Sequence, residues 1–111
     1  MRLRLFPALF LLAAACGGDT ATATSTPVVT TSVSMKNTSF TPAAIQVSPG
    51  AIVTFTNLDG VDHNVTFSSG GVTGSGNFSS GVKSLTMPTA PGTYGYQCTL
   101  HAGMSGTVKV Q

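Results

Sequence analysis

From Val28 to the end of the chain, short runs of Val, Ile, Thr, Phe and Tyr alternate with polar residues and are broken by Gly, Pro, Asn and Asp, with no useful length of helical periodicity. The alternation predicts strands over Val28 to Met35, Ile45 to Val47, Ala51 to Asn57, His63 to Phe67, Val82 to Met87, Gly92 to Cys98 and Gly106 to Val110. Pro49-Gly50, Asp59-Gly60 and Pro91-Gly92 read as turns, because proline presets one backbone dihedral and glycine accepts positive φ. Ser68 to Gly81 is rich in Gly and Ser and reads as a long surface loop with one short extended piece near Phe78. No internal repeat interrupts this pattern. The elements predict an all-β fold, a small antiparallel Greek-key β-sandwich.

The first quarter of the chain follows different rules. Arg2 and Arg4 precede an almost wholly apolar run from Leu5 to Ala15, the charged start and short greasy core of a secretory signal. That run falls well short of the roughly 20 residues needed to span a bilayer. Ala13-Ala14-Ala15-Cys16-Gly17-Gly18 resembles the lipobox of bacterial lipoproteins, with Leu12 one place farther from the cysteine than is usual. The expected organisation is a signal peptide over residues 1–15, a lipidated Cys16 with a flexible tether over 16–27, and a folded domain over 28–111. The protein is then exported, to the periplasm or its equivalent, and held to a bacterial membrane by its lipid. Gly17 to Thr26 is too small-sided and polar to build a core, and such a stretch reaches roughly 35 Å when extended.

Charge adds an exclusion. The formal net charge of +2 disappears with Arg2 and Arg4, which leaves Lys36, Lys83 and Lys109 against Asp19, Asp59 and Asp62. No basic stripe remains to hold nucleic acid. The chain has 2 cysteines, so acylation of Cys16 leaves Cys98 as the lone thiol and rules out a disulfide framework. A single thiol in an exported protein points to metal ligation, interchain pairing or reactivity.

The strand pattern gives that thiol neighbours. In His63-Asn64-Val65-Thr66-Phe67 the odd positions share a face, and in Tyr94-Gly95-Tyr96-Gln97-Cys98 the aromatics share a face with the cysteine. His63 and Cys98 therefore point inward at strand ends. After Cys98 come His101 and Met104 at three-residue intervals in a turn-rich loop. Thiolate and thioether are soft donors suited to Cu(I), and imidazole suits both copper states. Two His and one Cys with a weak axial Met is the donor set of blue-copper electron transfer, whereas zinc prefers a closed tetrahedral set and rarely takes methionine. Met35 and Met87 lie on predicted strands without partner donors and read as core filler, and Tyr94 and Tyr96 read as core packing rather than an electron relay.

The stretch Pro91-Gly-Thr-Tyr-Gly-Tyr-Gln-Cys-Thr-Leu-His-Ala-Gly-Met-Ser-Gly-Thr-Val-Lys-Val110, together with Asp62-His-Asn-Val-Thr-Phe67, resembles the plastocyanin/amicyanin family of cupredoxins, its short ligand loop being closer to amicyanin. The resemblance implies one copper ion, with His63, Cys98 and His101 as strong equatorial ligands and Met104 as the long axial one. It implies that Asn64 ties its strand to the ligand loop at Cys98 and Thr99, with the Asn64 N–H donating to the cysteine sulfur. It further implies a surface-reaching His101 framed by Leu100, Ala102 and Gly103, through which a monomeric carrier meets redox partner proteins in short encounters. Leu100 and Ala102 stand where the family often has prolines, and Asp62 where plastocyanins commonly have one.

Two other functions use the same residues. A copper-delivery module for an oxidase would share the site but release its metal. An enzyme such as a copper oxidase or nitrite reductase needs further metal centres, and both of the chain's 2 histidines are already committed. A binuclear copper centre would need a second cysteine in the ligand loop.

Overall fold

The computed structural model describes residues 26–111; the expected signal, lipidation site and most of the tether lie outside them. The described chain forms nine strands: β1 (Val28–Val29), β2 (Ser32–Lys36), β3 (Ser39–Thr41), β4 (Ala44–Val47), β5 (Ile52–Asn57), β6 (Thr66–Phe67), β7 (Gly81–Thr86), β8 (Gly92–Gln97) and β9 (Ser105–Val110). They build two sheets, a 5-stranded one in the order β1-β4-β9-β8-β6 and a 4-stranded one in the order β3-β2-β5-β7. Among the described residues no helix is long and apolar enough to cross a membrane.

The alternation read from sequence is what packs the two sheets. In β5, Val53, Phe55 and Asn57 are buried while Ile52 is exposed, and in β9, Gly106, Val108 and Val110 face inward while Thr107 and Lys109 face water. Met35 and Met87 are core residues, as their strand positions suggest. Phe40, Phe55 and Tyr96 meet edge to face at the centre, Tyr96 lying 4.7 Å from Phe40 and 5.4 Å from Phe55 between ring centroids. The Tyr96 hydroxyl is buried without a hydrogen-bond partner, and that burial pushes its phenol well above the usual tyrosine range.

The pairing is mixed rather than purely antiparallel. β1 with β4, β2 with β5 and β4 with β9 run parallel. The cause is that the chain changes sheets between neighbours: β2 and β5 lie side by side in one sheet, while β4, between them in sequence, lies in the other.

Three boundaries differ from the sequence expectation. The run from Val28 to Met35 is two strands, because the chain leaves one sheet after Val29 and enters the other at Ser32, with the Ser32 N–H donating to Thr30 Oγ1 (3.2 Å) at the crossing. Strand β3 carries a single apolar residue, Phe40, and gives no alternation to read; it forms because Asn37 and Thr38, at φ 54° and 56°, make a tight left-handed turn off β2. In the run from His63 to Phe67 only Thr66–Phe67 joins a ladder, while His63 bridges to Phe78 in the Gly/Ser-rich loop.

Candidate metal centre

All four predicted ligands gather at one end of the sandwich. β8 and β9 pair up to Gln97 and Ser105, so residues 98–104 form the hairpin loop between them. The Cys98 N–H donates to the Met104 carbonyl (2.9 Å) and the Met104 N–H to the His101 carbonyl (3.2 Å), closing the loop on itself. Cys98 is 3 % exposed and Met104 2 %, while His101 is half-buried.

His63 arrives from the other side. Its backbone is fixed by a reciprocal pair of hydrogen bonds with Phe78 (3.1 and 3.0 Å), and its side chain is fully buried. The loop before it is pegged by buried Asn57, whose Nδ2 donates to the Val61 and Phe78 carbonyls (2.8 Å each) and whose Oδ1 accepts from the Asp59 N–H (2.8 Å). One donor atom each from His63, Cys98 and His101 lies within 4.8 Å of the others. The two imidazoles sit edge to face at 4.8 Å between centroids, and His63 Nδ1 is 3.9 Å from Cys98 Sγ.

The outward nitrogens of both rings are occupied by acceptors. His63 Nε2 lies 2.7 Å from Asp59 Oδ2, and His101 Nε2 donates to the Asp62 carbonyl at 3.2 Å. A carbonyl or a carboxylate can only accept, so each Nε2 carries a proton, and in the neutral ring Nδ1 then keeps its lone pair. The hydrogen bond to His63 foremost, and then the Thr38 N–H, pull the Asp59 carboxyl down to about 2 against the opposing effect of desolvation, with a lesser contribution from the Asn37 N–H. A thiol, two imidazoles with free Nδ1 atoms and a buried thioether are the donor chemistry that suits copper.

Asn64 makes four side-chain hydrogen bonds. Its Nδ2 donates to Thr99 Oγ1 (2.8 Å) and Asn77 Oδ1 (3.0 Å), while its Oδ1 accepts from the Thr99 N–H (3.1 Å) and the Thr66 hydroxyl (2.9 Å). It therefore stitches the His63 segment to the residue after Cys98. The expected bond from the Asn64 N–H to the cysteine sulfur does not form; the sulfur's polar neighbour is His63 Nδ1. Leu100, Ala102 and Gly103 are exposed beside His101. Sequence reasoning missed Asp59, which reads as half of a turn, as a partner of His63.

A two-sheet sandwich closing a Cys, two His and a Met under one end defines a blue copper protein of the cupredoxin class, a one-electron carrier. The chain belongs to the plastocyanin/azurin family of copper-binding proteins, whose model matches residues 27–111, and its cofactor is one copper ion. It is 36 % identical over 90 residues to amicyanin-alpha from Methylorubrum extorquens, covering 77 % of this chain and 75 % of that protein. Among solved structures it is similar to an oxidized amicyanin carrying a proline-to-glycine substitution, at 29 % identity and a TM-score of 0.64, covering 72 % of this chain and 80 % of that one. It also shares its fold with a purple cupredoxin from Nitrosopumilus maritimus, at 22 % identity and a TM-score of 0.65, covering 74 % of this chain and 100 % of that one.

Proposed function

We propose that His63, Cys98, His101 and Met104 would hold the copper, and that the protein carries single electrons between redox partner proteins outside the cytoplasm rather than transforming a substrate. The observation that carries this is the closed donor set: three donor atoms within 4.8 Å, each histidine presenting a free Nδ1. When bound, copper supplies the one-electron couple. The protein's part is to keep the donors in place through both states: Asn64 braces the two segments, and the Cys98–Met104 hydrogen bond closes the loop. Little rearrangement of ligands between states means fast exchange.

His101 is the route to the surface, since His63, Cys98 and Met104 are buried. Leu100, at 45 % exposure, forms with Ala102 and Gly103 an apolar rim for docking. Encounters of this kind bury small areas and release quickly, which suits a monomeric shuttle. The purified protein given one equivalent of Cu(II) is expected to show an intense thiolate-to-copper visible band and narrow copper hyperfine splitting in its electron paramagnetic resonance spectrum. An ordinary tetragonal signal without colour would remove Cys98 from the equatorial set and move copper delivery to the front.

Residues 1–15 serve in this reading as the export signal, with Cys16 acylated and residues 17–27 as the tether to the folded domain at 28–111. A Cys16→Ser chain is then expected in the soluble fraction of cells whose unaltered chain fractionates with membranes. Equal partitioning of the two would sink the anchor.

A further inference from the structure

We propose that Asp59 is a positioning residue of the copper centre: it fixes the tautomer and orientation of His63 and lowers the reduction potential by placing an anionic acceptor behind that ring. The inference rests on the copper reading above and goes beyond its four ligands.

Two aspects of the geometry carry it. The His63–Asp59 contact is 2.7 Å, the length of a charge-assisted hydrogen bond, and it engages a fully buried ring. The carboxylate is also held from behind, Oδ1 accepting the Asn37 N–H (2.7 Å), Oδ2 the Thr38 N–H (2.9 Å), and the Asp59 N–H donating to Asn57 (2.8 Å). Asp59 is thus locked between a hairpin turn and a core asparagine, with its one remaining strong contact aimed at His63.

The two histidines are consequently unlike. His101 rests on a neutral backbone carbonyl, but His63 rests on a negative charge. A carboxylate behind a ligating imidazole raises the basicity of the nitrogen facing the metal and fixes the ring's orientation. Added negative charge favours the more highly charged Cu(II) over Cu(I), so the potential falls relative to a centre with neutral acceptors on both rings.

The test uses the copper-loaded protein and its Asp59→Asn, Asp59→Ala and Thr38→Gly variants. The readouts are the potential by voltammetry, the paramagnetic resonance spectrum, and Cu(II) affinity of the copper-free forms by chelator competition. Asp59→Asn keeps an acceptor but loses the charge, and is expected to stay blue with a higher potential; a tenfold loss of preference for Cu(II) over Cu(I) reads as about 59 mV. Asp59→Ala loses acceptor and charge, and its Cu(II) affinity is expected to drop about 10- to 100-fold. Thr38→Gly suits the turn's positive φ and leaves the His63 contact intact, so its potential is expected to match the parent. A parent protein without the blue spectrum overturns the copper reading and the Asp59 role with it. A blue parent whose potential is unmoved in Asp59→Asn, or moves equally in Thr38→Gly, overturns the Asp59 role alone.

Discussion

A Cys98→Ser protein is expected to remain colourless with Cu(II) and to melt at the same temperature with and without the metal. The thiolate is the donor that gives a blue site its colour, and a serine hydroxyl is neither deprotonated near neutral pH nor soft. Stability should change in parallel. A ligand that binds only the folded state stabilises it by about 4 kcal/mol at 1,000 times its dissociation constant. In a domain of this size each kcal/mol is worth about 4–8 °C, so the parent protein should gain on the order of 20 °C from copper. Calorimetric scans of both proteins, with and without metal, measure the difference. A Cys98→Ser variant that still gains most of the parent's copper-dependent increment would place the metal elsewhere.

The second large effect is expected at Asn64, and it needs no metal to be seen. Asn64→Ala removes four hydrogen bonds at a residue only 5 % exposed. Thr99 and Asn77 are exposed, so water replaces part of what they lose, and each broken bond costs about 0.5–1.5 kcal/mol. A loss of about 3 kcal/mol follows, on the order of 15 °C in the melting point of the copper-free protein by near-ultraviolet circular dichroism. A change of only a degree or two would mean that the ligand loop is held by its own turn and by the β8–β9 pairing rather than by Asn64.

The candidate donor set was legible because it is made of scarce residue types. Cys98, both histidines and Met104 fall in one order, and strand alternation already turns His63 and Cys98 inward. The main strands were legible for the same reason that they pack, since burial of every second residue is what makes a sandwich. Strand β3 was not, because one apolar residue carries no period, and its existence depends on a turn whose N–H groups are held by Asp59 from another part of the chain. The sheet change at Thr30 and Thr31 was hidden because Val28, Val29 and Val33 look alike in sequence whichever sheet they join. Asp59 was read as a turn residue, which it is; that it also faces a buried imidazole is a fact of three-dimensional proximity that sequence spacing does not encode.

Three of the four proposed donors lie in the one hairpin loop spanning residues 98–104, where Cys98 and Met104 close the end of a core whose other members lie outside that loop. The metal chemistry is thereby modular. Insertions or replacements between Gln97 and Ser105 can respace Cys98, His101 and Met104 while β8 and β9 stay in register beneath them. Evolution can retune the redox character of such a protein by editing a single surface loop, leaving the folding problem of the remaining strands already solved.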